Sequence, residues 1–503
     1  MQNELKIASL SKVVIDPSVL ELIPAPYALE NKVVPVKIEN NKLIVAMSHP
    51  DDFSLLREMM LMTGNNIQPV VMDESEILTA IAQSYKIKIP KANGRSQVKE
   101  FKVVDKISED YAEKGQIIED ISIINHINEI ITKAVNLGAS DIHFEPYEKM
   151  FRVRYRIDGR LQEAHKLSMD KKFAYISRLK IMAELDIAEK RRPQDGRIRM
   201  EGGKRIIDIR VSTLPTDFGE KVVLRLLDKS SFKLDMDNIG FTVQMKQQFE
   251  DVLKSPYGMI LVTGPTGSGK TTTLYTALSY INNPDVNIMT IEDPIEYNLS
   301  GINQSHVRAD IGFTFANALR SFLRQDPDII MVGEIRDSET AEIAIRSALT
   351  GHLVLSTLHT NDAPSAITRL IDMGIEPFLV ATSLKMVMAQ RLVRKVCSHC
   401  KTETTIDPVL ISRLGIDKDT NPKFYKGQGC DECSESGYSG RTAVIEMLPI
   451  SDKISELIVK NPTAAQIRKA AVQEGMLSLR QHGMMKLGES LTTVDEVMRE
   501  TTI

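Results

Sequence analysis

The chain has 503 residues, of which 42% are hydrophobic and 26% are charged, so about three domains are expected rather than one core. The formal net charge of −4 provides no overall positive field, and Trp is absent, which argues against a nucleic-acid partner. The N-terminus lacks the apolar core of a signal peptide, and no apolar run is long enough to span a membrane. We therefore expect a cytoplasmic protein that needs a partner to work at a membrane.

Residues 1–88 are predicted to form a small α/β domain. Two strand-like segments, 33–38 and 42–46, are separated by a hairpin signal, and helical patterns follow at 53–62 and 75–85. Residues 89–117 are rich in Lys and Glu and show little apolar periodicity, so they are predicted to be a linker.

A second N-terminal domain, PAS-like and α/β, is expected at residues 118–233. An amphipathic helix from Ile121 to Asn136 precedes four strand regions, which we expect to form a mixed sheet. In the strand at 151–157, alternation places three arginines on one face, and the strand turns at Asp158-Gly159. The three arginines are Arg152, Arg154 and Arg156.

The motor domain, predicted to run from 240 to 503, contains the most informative motif. An apolar run at 259–262 is followed by the sequence Gly-Pro-Thr-Gly-Ser-Gly-Lys-Thr and then by a helix-like run, which is the pattern of a P-loop. Such a loop points backbone N–H groups at a phosphate chain, and the helix N-terminus adds positive potential. The loop residues predicted to bind ATP are Gly264, Pro265, Thr266, Gly267, Ser268, Gly269, Lys270 and Thr271. Lys270 would reach the β- and γ-phosphates, and the Thr271 hydroxyl would bind Mg²⁺.

Three later strand-like segments end in polar residues, which predicts a RecA-like parallel sheet. Ligands of such sheets bind at the carboxyl ends of the strands, so we expect Glu296, Glu334 and His359 to converge near the γ-phosphate. Gly333 stands where most P-loop ATPases have Asp. Metal and water positioning is therefore predicted to be shared between Glu334 and a carboxylate of residues 292–296. The alternative for any one of these acids is a solvated surface group.

The apolar run from Pro377 to Val393 is interrupted by Lys385, Gln390 and Arg391, and we predict a buried helix there. From residue 450 onward the pattern is helical.

All four cysteines lie in two C-x-x-C pairs, Cys397/Cys400 and Cys430/Cys433. In a chain without a secretory signal, this spacing predicts a structural Zn²⁺ site with four thiolate ligands, in a module inserted at residues 395–441. Four protein ligands leave no open position for catalysis. The alternatives are free thiols or a redox pair.

Several motifs resemble the secretion-ATPase superfamily, which contains the motors of type II secretion and of type IV pili. The segments that carry the resemblance are 139–146, 192–197, 219–225, 323–341, 350–363, 389–394 and 437–441. The similarity covers about residues 10–503.

The resemblance implies roles for particular residues. It implies an Asp box of Glu292, Asp293 and Glu296, a Walker B Glu334, and a His box of His352 and His359. Glu296 is favoured as the base and Glu334 as the metal or water partner, with the reverse assignment left open. Arg210 and Arg225 resemble family arginines that reach ATP from the same or a neighbouring subunit, as an arginine finger does. A salt bridge on the sheet face is the alternative for both.

Within the superfamily, the resemblance favours type II secretion, with pilus assembly as the alternative. Retraction motors are shorter and lack the first domain and the cysteines. Pilus-assembly motors usually carry a longer N-terminal region, sometimes with an R-L-G-x-x-L motif, which residues 7–12 do not show. The resemblance implies a homo-hexamer, peripheral at the inner membrane. The N-terminal domain would dock on the cytoplasmic domain of an inner-membrane secretion protein, and a platform protein would be a further partner.

Two other classes of function compete with this interpretation. A nucleic-acid motor would share the RecA-like sheet, although the acidic charge and the lack of Trp argue against it. A scaffold with a degenerate P-loop is disfavoured because Lys270 and Thr271 are both intact.

Overall fold

The computed structural model describes residues 15–20, 22–39, 42–47, 53–72, 74–85, 101–103, 117–202, 205–228, 234–406 and 423–501. The chain divides into two compact units, Met1–Gly94 and Arg95–Ile503. Among the described residues, no helix is both long enough and apolar enough to cross a membrane.

The first unit contains a three-stranded sheet in the order β1-β2-β3, with β1 and β2 antiparallel and β2 and β3 parallel. Its elements are α1 (Pro17–Leu20), α2 (Ala25–Asn31), β1 (Val33–Glu39), β2 (Lys42–Met47), α3 (Phe53–Thr63), β3 (Asn66–Val71) and α4 (Glu74–Ser84). The predicted hairpin and both predicted helices are confirmed. Residues 7–12, on which the missing R-L-G-x-x-L motif was judged, lie outside the described residues.

The second unit begins with a seven-stranded antiparallel sheet, in the order β4-β8-β9-β10-β5-β6-β7. Its strands are β4 (Lys102–Val103), β5 (Ala139–Pro146), β6 (Phe151–Ile157), β7 (Arg160–Leu167), β8 (Gln194–Gly202), β9 (Arg205–Thr216) and β10 (Gly219–Asp228). The helices α5 (Ile117–Asn136) and α6 (Lys172–Met182) share an apolar core with one face of this sheet. We call this part the antiparallel-sheet half.

Two expectations for this half were wrong. The sheet is antiparallel throughout, not mixed, because each described strand pairs with its neighbours in the antiparallel sense. Part of the predicted linker also belongs to it, since Lys102 and Val103 pair with β8 and Phe101 is fully buried. Two apolar side chains, Phe101 and Val103, and two ladder pairs are too weak a signal for periodicity to detect.

The rest of the unit is built on a second seven-stranded sheet, in the order β13-β12-β14-β15-β11-β16-β19. All neighbours are parallel except β16 and β19. Its strands are β11 (Gly258–Thr263), β12 (Ile288–Glu292), β13 (Asn303–His306), β14 (Ile329–Val332), β15 (Leu353–Leu358), β16 (Leu384–Val396) and β19 (Tyr438–Pro449). We call this part the P-loop half.

Helices cover both faces of this sheet. They are α7 (Met236–Ile239), α8 (Val243–Leu253), α9 (Lys270–Ile281), α10 (Phe315–Phe322), α11 (Ser338–Leu349), α12 (Ala363–Asp372), α13 (Pro377–Ser383), α14 (Asp452–Val459), α15 (Ala464–Gln473), α16 (Leu479–Gly488) and α17 (Val494–Thr501). The helical C-terminus was predicted. Ser451, Thr463 and Ser478 start three of its helices by accepting a backbone N–H with their side-chain oxygens.

The buried helix predicted at 377–393 is wrong beyond Ser383. Helix α13 ends there, and the chain continues as β16, which lies between β11 and β19 and is buried on both faces. A strand buried on both faces has a continuous apolar sequence, which periodicity cannot separate from a buried helix.

Between β16 and β19 lies a small module that carries the cysteines. It contains a two-stranded antiparallel sheet of β17 (Lys401–Thr404) and β18 (Phe424–Gly427), followed by a single 3₁₀ turn at Asp431–Cys433. This module falls within the predicted insertion at 395–441.

Candidate functional site

The P-loop connects the central strand β11 to the first turn of α9, as the motif predicts. The backbone of Gly264 has φ 145°, and a Cβ there would lie 2.5 Å from the carbonyl oxygen of Gln390, so only glycine fits. Gly269 caps α9 with φ 90°, also a conformation that favours glycine. The helix start therefore faces an open loop that can hold phosphates.

Lys270 lies folded into this loop. Its Nζ donates to the carbonyl oxygens of Gly264 at 2.8 Å and Pro265 at 3.0 Å. Burial lowers the pKa of Lys270, while the charge of Glu334 acts in the opposite direction. The ammonium group is therefore only partly solvated and close to carbonyl groups, so a phosphate would be a stronger partner than those it has here.

Glu334 and His359 follow the neighbouring strands β14 and β15. His359 Nε2 lies 3.2 Å from Glu334 Oε2, and Arg336 donates to the other carboxylate oxygen. Glu334 is largely buried, with 14% of its side chain exposed, whereas His359 is half exposed. The predicted convergence of these two side chains at the carboxyl edge of the sheet is found in the structure.

The three Asp-box residues differ in environment. Glu292 is buried and its carboxylate is saturated: Tyr275 donates to Oε2, while Thr290 at 2.6 Å and Gln304 at 3.0 Å donate to Oε1. Asp293 is exposed. Glu296 lies at the edge of the cleft with about a third of its side chain exposed. Glu292 therefore stabilises the structure around the site, whereas Glu296 is accessible to a ligand.

His352 does not join the other predicted site residues. It precedes β15 and therefore lies at the amino end of the strand, opposite His359, where its Nδ1 is 3.0 Å from the carbonyl oxygen of Ser347. Ligands of parallel sheets bind at the carboxyl ends of strands. The position of His352 thus does not support the ligand-binding role that the resemblance implied.

Two predicted arginines of the antiparallel sheet face the P-loop half. Arg210 Nη2 donates to the carbonyl oxygen of Ile295 at 3.0 Å and lies 3.3 Å from Glu296 Oε2. Arg225 Nε donates to Asp141 at 3.0 Å, and 59% of its side chain is exposed.

These arginines belong to one row across the sheet, in which Arg197 opposes Arg210 and Arg210 opposes Arg225. Like charges directly opposite each other destabilise a sheet. Arg210 and Arg225 each have a carboxylate partner, Glu296 and Asp141, so the salt bridge considered as the alternative for both is present and offsets part of that repulsion.

A single cleft of about 1100 Å³ joins these groups. It is lined by the P-loop, by the strand-end residues Glu292, Asp293, Glu296, Glu334 and His359, and by side chains of the antiparallel sheet that include Arg156 and Arg225. The cleft thus combines a phosphate-binding loop, carboxylates and cations, which are the parts that phosphoryl transfer requires.

The four cysteines converge at a second location. Their Sγ atoms all lie within 4.8 Å of one another. The Sγ–Sγ distance is 3.8 Å for Cys397–Cys430 and for Cys400–Cys433, and 3.7 Å for Cys430–Cys433. Although burial opposes ionisation of Cys433, N–H donors from the backbone of Cys430 and Gly437 lower the pKa of its thiol.

Comparison with known proteins agrees with this geometry. The family described as Type II/IV secretion system protein matches residues 116–499, and the MshEN domain matches residues 3–89. This chain belongs to the type II/IV secretion ATPase family. The α/β fold with a RecA-like P-loop motor and the activity as an ATP hydrolase, both predicted from the sequence, are confirmed.

Two curated relatives of this secretion ATPase carry different names. The type IV pilus assembly ATPase PilB of Myxococcus xanthus is 48% identical over 97% of this chain and 87% of its own length. The type II secretion system protein E of Pseudomonas aeruginosa is 50% identical over 76% of this chain and 76% of its own length.

Solved structures share this fold. The pilus retraction motor PilT with bound ADP is 28% identical, with a TM-score of 0.51, and the match covers 75% of this chain and 96% of that one. The ATPase DotB of Legionella pneumophila, at 20% identity and a TM-score of 0.53 over 75% of this chain and 95% of that one, shares the fold.

Several cleft side chains of this secretion ATPase were not predicted, among them Asp158 and Arg391. Asp158 was identified only as a turn residue, yet it lines the cleft. Arg391 is buried in β16, and its Nη2 donates to the carbonyl oxygen of Asn361 at 2.8 Å, in the loop that follows His359. The available signal for Arg391 was a cation inside an apolar run, which is costly unless it has a function or a partner.

Proposed function

We propose that this ATPase powers protein export by type II secretion, by driving assembly of a pseudopilus. The observation that carries the proposal is the 50% identity to a type II secretion system protein E over 76% of this chain. Two further relatives with that name, from Pectobacterium carotovorum and Dickeya dadantii, are each 49% identical over 76% of this chain.

Assembly of a type IV pilus is the second candidate, and one observation favours it. The match to PilB covers 97% of this chain, whereas the matches to the type II secretion proteins cover 76%. The difference is large enough to include most of the MshEN match at residues 3–89. The P-loop half would hydrolyse ATP in type II secretion and in pilus assembly alike. The two functions would therefore differ in the N-terminal unit.

Deletion of the gene, with complementation by the wild type and by Lys270→Ala, separates the two candidates. Type II secretion predicts that secreted enzymes disappear from the culture supernatant while surface pili persist. Pilus assembly predicts the reverse. If both phenotypes are unchanged, the proposal is wrong.

Within the cleft, we propose that Glu296 is the general base and that Glu334 and Thr271 position the metal and its water. The family implies ATP and Mg²⁺ as ligands. The residues fit, because Thr271 is exposed at the start of α9 and the largely buried Glu334 lies close enough to Lys270 to influence its pKa. When bound, Mg²⁺ would neutralise charge on the β- and γ-phosphates. Lys270 would turn from the loop carbonyls to the phosphates, and Arg210 and Arg225 would stabilise transition-state charge.

These arginines are proposed to act on the ATP of their own chain, since Arg225 lines its cleft and Arg210 contacts Glu296, which also lines it. We also propose that the chain assembles as a homo-hexamer. Mixing Lys270→Ala subunits with Arg225→Ala subunits tests the direction of action. Action within a chain predicts that the mixture gains no ATPase activity, whereas action between neighbours predicts that mixed rings recover part of it.

The cysteine cluster is proposed to bind one Zn²⁺ in a structural role. With Zn–S bonds of ~2.3 Å, the edges of a tetrahedral site are about 3.8 Å long, and the Sγ–Sγ distances of the three pairs named above are 3.7–3.8 Å. The cluster therefore has the size that the metal requires. Zn²⁺ would hold the ends of β16 and β19 together.

We further propose that the protein works in the cytoplasm, at the inner membrane, through partners. The N-terminal unit would dock on the cytoplasmic domain of an inner-membrane secretion protein, and the motor would act on a platform protein in the same membrane. No nucleic acid is proposed as a ligand. A pull-down from solubilised membranes with the full chain, compared with a chain lacking residues 1–94, tests the docking step.

A further inference from the structure

The turn between β6 and β7 contacts the start of β19, far away in sequence. Asp158 Oδ2 accepts a hydrogen bond from the backbone N–H of Gly440 at 3.0 Å, and Asp158 Oδ1 lies 3.5 Å from Arg441 Nε. One carboxylate thus joins the antiparallel-sheet half to the P-loop half. Asp158 and Arg441 both line the cleft.

The backbone of the β6–β7 turn has a fixed conformation. Asp158 has φ 47° and Gly159 has φ 83°, a pair that suits Asp and Gly because both tolerate the left-handed region. Arg156 Nη1 donates to the carbonyl oxygen of Gly159 at 2.9 Å. The carboxylate of Asp158 is therefore presented from a fixed backbone, not from a free loop.

The other side of the contact is also anchored. Three residues before Gly440, the backbone N–H of Gly437 donates to Cys433 Sγ at 3.2 Å, and Gly437 accepts from the N–H of Cys397 at 3.0 Å. Arg441 then pairs in register with Arg394 of β16. The cysteine cluster thus fixes the strand that receives Asp158.

From the turn, polar contacts continue to the arginine row. Arg156 Nε lies 3.4 Å from Asp141 Oδ2, and Asp141 Oδ1 accepts from Arg225 Nε at 3.0 Å. Asp141 is buried, whereas the side chains of Arg156 and Arg225 are 36% and 59% exposed, so the carboxylate at the centre of this connection is shielded from water and its two partners are not. A shift of the turn would therefore move Arg156 and change the position of Arg225 over the P-loop.

We propose that Asp158 is a positioning residue for ATP hydrolysis: its contact with Gly440 and Arg441 holds the arginine-bearing sheet over the P-loop of the same chain. This rests on the proposed role of Arg210 and Arg225. An exposed ion pair would be worth little, but Asp158 is four-fifths buried and also accepts from a backbone N–H. Loss of the contact leaves ATP bound at the P-loop while the arginines are misplaced.

Three variants of the full chain test the proposal. Asp158→Gly keeps the left-handed turn without strain and removes the carboxylate. Asp158→Asn keeps an oxygen that can accept from Gly440 and tolerates the same backbone conformation. Asp217→Gly is the matched control, since Asp217 is an exposed residue in the β9–β10 turn of the same sheet.

Hydrogen exchange of the segment 438–442 measures the contact of Asp158 directly. The kcat and KM for ATP, determined with Mg²⁺, measure its effect on hydrolysis. For Asp158→Gly we expect loss of protection at Gly440 and a fall in kcat of roughly 10- to 100-fold, since a misplacement of ~1 Å costs about that much. KM should change far less, Asp158→Asn should retain most of both properties, and Asp217→Gly should resemble the wild type.

Wild-type kcat or wild-type protection in Asp158→Gly would overturn the proposal, as would an Asp158→Asn protein as impaired as Asp158→Gly. A failure of the proposed role of Arg210 and Arg225 would give a different result. If Arg210→Ala and Arg225→Ala retain full activity, the arginines are not part of the reaction, although the exchange result still reports the contact. Adding Arg225→Ala to Asp158→Gly should cost little further activity, because both changes remove the same interaction.

Discussion

Arg210 and Glu296 meet across the cleft, with Nη2 3.3 Å from Oε2, although they belong to the two different halves of the unit. Arg210 lies on the antiparallel sheet, and Glu296 follows β12 of the P-loop sheet. The proposed base is therefore paired with a cation from the other half. A bound phosphate would compete for Arg210 and free the carboxylate of Glu296, so occupation of the cleft and activation of the base would be linked.

Replacing each carboxylate by its amide should separate the two proposed roles. Glu296→Gln and Glu334→Gln should each lower kcat by about 10²- to 10⁴-fold, the usual contribution of general acid–base or metal-positioning groups. A metal-binding Glu334 predicts that higher Mg²⁺ or Mn²⁺ partly restores Glu334→Gln but not Glu296→Gln. Steady-state assays across a metal titration measure this, and restoration of Glu296→Gln alone would reverse the assignment.

Lys270→Ala should abolish ATP turnover, with a loss of at least about 10²-fold, since it removes the cation that the loop places beside the phosphates. Lys254→Ala is a suitable control because Lys254 is exposed at the end of α8 and 61% of its side chain is in solvent. Measured with the assembled protein, equal activity of Lys270→Ala and the control would refute the enzymatic role of this loop.

Elemental analysis of purified protein should find about one Zn²⁺ per chain. The double variant Cys397→Ser/Cys430→Ser should lose it, since each pair then contributes only one thiolate. The chain has only these four cysteines, so a thiol titration reports on the site alone. Chelation should expose them to the reagent, and a folded protein that holds no metal before chelation would contradict the proposal.

The P-loop and the cysteine site were predictable because each is local. A glycine at 264 or 269 and two C-x-x-C pairs specify chemistry through a few neighbouring residues, and the structure only needs to bring the two cysteine pairs together. The carboxyl-edge position of Glu334 and His359 was also predictable, because a parallel sheet places all such strand ends on one side.

What could not be predicted depends on the packing of distant segments. The contact of Asp158 with Gly440 joins residues that no sequence pattern relates, and the same is true of Arg391 with Asn361. The apolar run at 384–396 forms an interior strand because β11 and β19 flank it, which periodicity does not reveal. The resemblance groups His352 with His359, but the two lie at opposite ends of β15, and only His359 is at the carboxyl edge.

His482 is a buried group that makes stability depend on pH. Its Nδ1 lies 2.9 Å from the backbone nitrogen of Ile445 and 3.1 Å from the carbonyl oxygen of the same residue. Burial, with a smaller effect from Lys486, lowers the pKa of His482 from 6.5 to about 4. Between pH 6.5 and about pH 4, His482 therefore carries a proton in the unfolded chain but not in the folded chain. The free energy of unfolding must fall as the pH falls through this range.

Between about pH 7 and pH 5, His482 alone should reduce the free energy of unfolding by about 2 kcal/mol, from 1.36 kcal/mol per unit of pKa. His482→Asn should flatten this dependence, because an amide oxygen can accept from Ile445 and does not titrate. Other histidines with a lowered pKa, such as His143 and His165, contribute equally to both proteins and cancel in the comparison. Urea unfolding at both pH values measures the difference. The variant will be less stable overall, since Asn fills less volume, but only parallel pH slopes for the two proteins would contradict the prediction.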